Sequence, residues 1–265
     1  MAHRIVHGTG PVQELLQKKR DIALVYLDRK RSKKQRDPVS NIARTARQRG
    51  VTVEFTTRAH LDALAGTDRH QGAVAVTGEF KYVELYDVLA RIGRRAADEP
   101  ALLVALDGVQ DPRNLGAIIR SAYMLGADAL IVPRDRAAGV TAVTAKTSAG
   151  ATEHLPVCQV TNLPRALGEI GEAGVWKAAV AAGPDTRPMA SIDASLPLCL
   201  VLGSEGSGIR RLVARACDFQ VEIPMAGLGV GSLNVSVAAG IALYEVDRQR
   251  RARLADAGTA QETAS

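Results

Sequence analysis

Two rhythms of apolar residues run along this 265-residue chain. Ile22–Leu27 is an unbroken apolar run of strand length, Val51–Thr56 alternates as a half-buried strand does, and Gly72–Thr77 reads as a third strand. Between them lie stretches of helical period. Gly10–Lys19 carries Pro11 in its first turn, where the missing N–H is not needed. Val39–Gly50 closes on a glycine suited to the left-handed position beyond a helix end. Ala59–Gly66 is a short third helix. Together these pieces predict a small α/β domain over residues 1–80. Val83–Pro100 is amphipathic and stops in charge and proline, so residues 81–98 are read as the linker.

From Ala101 the order becomes regular. Apolar strands are expected at Ala101–Asp107, Ala129–Pro133, Leu155–Val160, Val175–Ala181, Leu198–Gly203 and Phe219–Pro224. Helices are expected at Asn114–Leu125, near Val140–Ser148 and Leu163–Ala173, at Ile209–Ala216, and after the last strand. Strands that are apolar on both faces need cover on both. The prediction for residues 99–253 is therefore α/β, a parallel sheet flanked by helices. Residues 254–265, small and polar, are expected to be a disordered tail.

Charge changes the picture most in the first domain. Residues 1–50 hold thirteen Lys or Arg against four Asp or Glu, a net +9 that leaves −3 for the rest of a chain totalling +6. Six of those cations sit in Arg29–Arg36: Arg29, Lys30, Arg31, Lys33, Lys34 and Arg36. Such a run cannot pack, so it forms an exposed loop, suited to a nucleic-acid contact or to plain solvation. Aromatic residues make up only 3%, too few to advertise a stacking platform for single strands.

The three cysteines and five histidines show no ligand spacing, which argues against a metal site and for a reducing compartment. No apolar run is long enough to span a bilayer, and a cytoplasmic protein without a membrane partner is expected.

Candidate chemistry lies in three loops, each leaving the carboxyl end of an apolar strand for a helix, where open α/β sheets bind ligands. They are Leu106–Ala122, Val201–Leu212 and Ile223–Val246. The glycines do not fit nucleotide phosphates: G-x-G-x-x-G fails at Gly206 and Gly208 and again at Gly227, Gly229 and Gly231, and no Walker pattern occurs. A nucleoside without phosphate fits better, met by main-chain groups that glycine lets approach closely. Asn114 suits an N-cap or an active-site group, Ser232 can cap the last helix, and Glu205 could be a turn residue or functional.

Together the loops resemble the SpoU (TrmH-like) family of SPOUT RNA methyltransferases. The residues that carry the likeness are Asn114 and Arg120 in DPRNLGAIIRSA, Gly203, Glu205 and Gly208 in GSEGSG, and Ile223-Pro224-Met225 with Ser232 to Ala238. HGTGPVQELL and RHQGAVAV are similar to the RNA-binding domain of the branch that methylates large-subunit rRNA. The loop Ala226–Gly231 is one residue longer and richer in glycine than the family's usual form, and the Arg29–Arg36 run is heavier.

The resemblance implies a deep trefoil knot in the C-terminal segment and methyl transfer from S-adenosylmethionine to a ribose 2′-hydroxyl of structured RNA. It implies a guanosine of 23S rRNA as target, with tRNA or another rRNA nucleotide, or a non-catalytic RNA-binding relative, as alternatives. It implies a homodimer, cofactor contacts at Gly203, Ile223 and Leu233, and catalytic roles for Asn114, Arg120, Glu205, Ser232 and Asn234. A guanidinium stays protonated at any working pH, so Arg120 is expected to donate to the 2′-oxygen or a neighbouring phosphate rather than act as a base. Glu205 is expected to orient Arg120 or a group across the subunit interface.

Overall fold

The structure, a computed structural model, describes residues 4–18, 21–96, 99–183, 185–226 and 232–262, with side chains as far as residue 256. It divides into two compact units. One holds residues 1–81 together with Gly139–His154, the other Tyr82–Ala138 and Leu155 to the end.

The first unit is built on a four-stranded sheet of β1 (Arg4–His7), β2 (Ile22–Asp28), β3 (Val53–Thr56) and β4 (Ala73–Thr77), in the order β1-β4-β2-β3. β2 and β3 are parallel and the other pairings antiparallel. β1 was not expected from the sequence, where Arg4–His7 offers too short a pattern to read.

Helices α1 (Thr9–Gln17), α2 (Pro38–Gln48) and α3 (Arg58–Ala65) cover the sheet. α2 starts on Asp37, whose side chain accepts from Val39 N, with Pro38 in the first position. It ends before Gly50, which holds φ +67° as anticipated. Its buried Val39, Ile42, Ala43 and Ala46 follow the i, i+3, i+4, i+7 spacing of a core-facing stripe. The segment Gly139–His154, with α6 (Ala142–Thr147), belongs to this unit, although sequence order places it within residues 99–253. Ala145 joins the unit's core, and the Arg4 guanidinium pairs with Glu153 at 2.9 Å.

The second unit carries a seven-stranded sheet. Its strands are β5 (Leu102–Asp107), β6 (Ala129–Pro133), β7 (Val157–Val160), β8 (Trp176–Val180), β9 (Arg187–Pro188), β10 (Leu198–Gly203) and β11 (Phe219–Glu222). The order is β7-β6-β5-β10-β8-β11-β9, with every pairing parallel. Every residue of β5 and β6 is buried, as strands covered on both faces require.

Around the sheet stand α4 (Leu85–Ile92), α5 (Pro112–Met124), α7 (Leu163–Glu172), α8 (Arg211–Arg215) and α9 (Val235–Glu262). α7 buries Leu163, Ala166, Leu167 and Ile170 against the sheet's apolar core. The Val83–Pro100 helix is real only over α4, because Gly93 and the charged stretch behind it add no buried face. α9 continues as far as Glu262, through most of the stretch read as a disordered tail. Leu254 and Ala255, both good helix formers, open that stretch.

Candidate functional site

β5 ends at Asp107, β10 at Gly203 and β11 at Glu222, and the three loops that follow meet at the carboxyl edge of the sheet. α5 opens two residues earlier than the sequence suggested. Asp111 is its cap, accepting from Arg113 N at 2.8 Å, with Pro112 at the first position. The capping reading of Asn114 is thereby corrected. Asn114 lies inside the first turn rather than ahead of it, so its side chain is not the cap and reaches across the loops. It donates from Nδ2 to Glu205 Oε1 at 3.1 Å.

The last helix gives the matching correction: its cap is Asn234, not Ser232. Asn234 Oδ1 accepts from Ser236 N at 2.9 Å and from Ser236 Oγ at 2.6 Å, satisfying a donor that every helix start leaves open. This leaves the other half of the amide for the neighbouring loops. Nδ2 donates to Asn114 Oδ1 at 3.2 Å and to Glu205 Oε1. Glu205 Oε1 also accepts from Val235 N at 3.4 Å, so a carboxylate sits at the positive end of the chain's longest helix. Asn234 is exposed, so its side chain is not an unpaired polar group inside the core.

The glycine loop between β10 and α8 is shaped by close backbone approach. Ser204 N donates to Gly208 O at 3.2 Å and Gly208 N returns to Ser204 O at 3.0 Å. A Cβ on Gly203 would stand 2.1 Å from Gly208 C, so no other residue closes this loop.

Beneath the loop lies a cavity of about 680 Å³, lined by both apolar and polar residues that include Ala181, Gly203, Ile209, Gln220, Ile223, Ser232 and Leu233. Among the described residues, Glu205 is its one charged lining residue. A second cavity of about 310 Å³ shares Ser204, Glu205, Ser207 and Val235 with the first and adds Gln110 and Asn114. The Asn114–Glu205–Asn234 cluster thus stands at the wall between two spaces. Residues 227–231, where the sequence showed the extra glycine, lie outside the described residues.

Sequence reasoning missed Asp107 and Arg210. Asp107 is fully buried at the end of β5 and accepts from Arg210 N at 2.8 Å and Arg210 Nε at 2.7 Å. After burial is set against them, these bonds leave the Arg210 guanidinium with a raised pKa; the hydrogen bond to Asp107 is the largest contribution. The signal was present: an aspartate ending an apolar strand must find a partner.

Arg120 does not join the cluster. It is exposed on α5, lines neither cavity and forms no ion pair among the described residues. Six residues beyond Asn114, it points about 120° away around the helix. The expected Glu205–Arg120 contact is therefore absent within one chain, since Glu205 is engaged by Asn114 and Asn234.

The basic run folds into a built turn rather than a loose loop. Asp28 Oδ1 accepts from Lys30 N at 2.8 Å and from Arg31 N at 3.0 Å. Arg31 turns inward, bonding both oxygens of Asp37 at 3.0 and 3.1 Å and Gln71 O at 2.6 Å. Arg29 Nη2 reaches Phe55 O at 2.9 Å. Lys30, Lys33, Lys34 and Arg36 remain exposed.

Among the described residues no group of three His, Cys, Asp or Glu could hold a metal, and no helix is long and apolar enough to cross a membrane.

With this geometry in hand, comparison with known proteins is specific. Residues 101–244 match the SpoU rRNA Methylase family, and residues 5–83 match the domain described as RNA 2′-O ribose methyltransferase substrate binding. The YacO protein of Bacillus subtilis, named for the TrmH family of tRNA/rRNA methyltransferases, is 41% identical over 94% of this chain and 96% of its own. The 23S rRNA (guanosine-2′-O-)-methyltransferase RlmB of Coxiella burnetii is 44% identical over 81% of this chain and 84% of its own. Among solved structures, the AdoMet-bound rRNA methyltransferase from Sinorhizobium meliloti superposes with a TM-score of 0.76 at 26% identity, over 93% of this chain and 87% of that one.

Proposed function

This chain belongs to the SpoU rRNA methylase family, and we propose that the hydroxyl it methylates is that of a guanosine in 23S rRNA, the substrate for which its RlmB relatives are named. It is an S-adenosylmethionine-dependent RNA ribose 2′-O-methyltransferase. The observation that carries the assignment of the site is the Asn114–Glu205–Asn234 cluster on the wall shared by two cavities.

The larger cavity fits S-adenosylmethionine on chemistry as well as size. It falls in the usual range for small-molecule sites. Among the described residues it offers no Lys, Arg or His to meet a phosphate, and its single carboxylate, Glu205, suits a positively charged ligand. Main-chain groups at Gly203, Ile223 and Leu233 would hold the cofactor, with Ser232 at its edge. Bound there, S-adenosylmethionine supplies an electrophilic methyl carbon on a sulfonium.

The chain's own contribution is positioning. Asn114 and Asn234 fix the Glu205 carboxylate between the two spaces, and the smaller cavity, which Asn114 and Gln110 line, takes the acceptor ribose. Arg120 acts from a second copy of the chain. It shares an exposed face with Tyr123 and Met124 of α5 and with Val237, Ile241 and Tyr244 of α9, which packs on α5. An apolar face of this kind around a charged group marks an interface. Pairing two copies buries it and carries each Arg120 to the other copy's cluster, where its guanidinium donates to the 2′-oxygen as the hydroxyl proton leaves to solvent and negative charge develops.

The reading extends to the fold and the RNA. A deep knot in the C-terminal segment is supported by β10 entering the sheet between β5 and β8 and by α9 returning onto α5. The N-terminal domain, residues 1–80, grips structured RNA, with Lys30, Lys33, Lys34 and Arg36 among its exposed cations. Three free thiols, two of them buried, suit the cytoplasm.

The test is tritium transfer from labelled S-adenosylmethionine to RNA from a strain lacking this protein, followed by mapping of ribose methylation. A single guanosine in 23S rRNA is expected. Label in tRNA, or at another base, would replace the proposed substrate, and no label in any RNA would remove the activity.

A further inference from the structure

In the first unit a groove of about 810 Å³ runs between the Arg29–Lys33 turn, the outer face of α2 and β3. Four cations line it, Arg29, Lys33, Arg44 and Arg47, against one carboxylate, Glu54, for a local net of +3. Among the described residues none of the four is in an ion pair. That distinguishes them from Arg31, which is spent on Asp37, and from Arg4, which is spent on Glu153.

Their positions are fixed by the fold. Arg44 and Arg47 are three residues apart on α2, on the side away from its buried stripe, so they project together. The Arg47 guanidinium lies 5.4 Å from the centroid of the Phe55 ring, which orients it without neutralising it. Arg44 Nη2 is steadied by Asn41 Oδ1 at 3.0 Å, again a neutral partner. The Ser40 hydroxyl donates to Lys34 O at 2.7 Å and pins the basic turn against the same helix. Gathering like charges in one groove is unfavourable for the chain alone, and an anion resolves it.

We propose that this groove, with Arg44 and Arg47 as its centre, receives the sugar–phosphate backbone of the RNA substrate. The inference rests on the RNA-methyltransferase reading above, and it moves the main contact from the Arg29–Arg36 run to the face of α2. Guanidinium groups held by neutral partners keep their charge and their forked donors for phosphate oxygens. Contacts of this class set affinity and orientation rather than sequence.

The experiment measures binding of the full-length protein to an unmodified 23S rRNA transcript across a range of KCl concentrations. Arg44→Gln/Arg47→Gln is compared with wild type and with Arg58→Gln, which alters an exposed arginine of α3. Each phosphate contact contributes about 0.7 to 0.9 to the slope of log affinity against log salt, so the double variant should lose about 1.5 from it and bind about tenfold more weakly at low salt. Arg58→Gln should leave both unchanged, and circular dichroism spectra and urea melts should coincide for all three proteins, which guards against misfolding of the first unit. Arg44→Lys/Arg47→Lys should keep most of the slope. A double Gln variant with wild-type slope and affinity overturns the proposal, as does a Lys pair that fails as badly as the Gln pair. Wild-type protein that shows no salt-dependent binding to the transcript would instead overturn the RNA reading on which the proposal rests.

Discussion

Asp107 and Arg210, 103 residues apart in sequence, are locked together at the carboxyl edge of the second sheet: the buried carboxylate takes both the backbone N–H and the side chain of the arginine. The pair ties the end of β5 to the start of α8 and so holds the exit of the Gly203–Gly208 loop against the first of the three site loops.

Arg210→Ala leaves the buried Asp107 charge with only a backbone N–H, and it should destabilise the protein by about 3 kcal/mol. Asp107→Asn removes the charge but keeps an acceptor, and it should cost about 2 kcal/mol. Urea melts of the two single variants and the double would check this. The double should lose clearly less than the sum, and strict additivity would show that the two residues act independently.

Gly203→Ala should disable cofactor binding, because its new Cβ has to displace the backbone of Gly208 and Ile209. Calorimetry with S-adenosylmethionine should find affinity reduced at least about tenfold, a loss of about 1.4 kcal/mol or more. Gly206→Ala, whose Cβ meets nothing within 4 Å but whose φ is +84°, should be milder. Equal losses would contradict the steric argument.

Glu205→Ala removes the acceptor that Asn114, Asn234 and Val235 share. Turnover should fall about a hundredfold, the scale expected for losing one preorganised charged group in a site. The KM for S-adenosylmethionine should change little by comparison. A rise in that KM with unchanged turnover would reassign Glu205 to cofactor binding alone.

Arg120→Ala and Glu205→Ala should each keep about a hundredth of wild-type activity or less as pure proteins, yet regain activity when mixed by co-expression. A dimer containing one of each carries one intact site made from Glu205 of one chain and Arg120 of the other. Near a quarter of wild-type activity is the expected ceiling for a statistical mixture. Mixed preparations as inactive as their parents would place Arg120 and Glu205 in the service of the same chain.

His7 is buried, and burial first, then the charges of Lys146 and His70, lowers its pKa from the ordinary 6.5. The folded protein therefore holds it neutral, while the unfolded chain takes up the proton first as pH falls. Its contribution to stability is whole above about pH 6.5 and declines below that until the lowered folded pKa is passed. Urea midpoints measured between about pH 7.5 and pH 5 should fall more steeply for wild type than for His7→Gln. Parallel profiles would rule His7 out as the source.

Much of the second unit could be read along the chain. β5, β6 and β10 are apolar at nearly every position, and a strand apolar on both faces needs cover on both, which places it centrally in a sheet flanked by helices. Helix boundaries were less accessible. The choice between Asp111 and Asn114 as a cap, or between Ser232 and Asn234, depends on a hydrogen bond over two or three residues, and all four residues can make one. The Arg29–Arg36 run looked like a free cationic loop, because nothing local reveals that Asp37 and the Gln71 carbonyl claim Arg31.

What the sequence settled by itself was therefore local: where strands are buried, where glycine is obligatory, and which three loops carry polar groups. Tertiary structure alone decided which groups meet. Strand order brings the ends of β5, β10 and β11 to one edge, and helix phase turns Asn114 inward and Arg120 out. The physical reason is that periodicity records the face a residue presents to its own element, while a contact such as Glu205 with Asn114 across 91 positions depends on how elements are stacked.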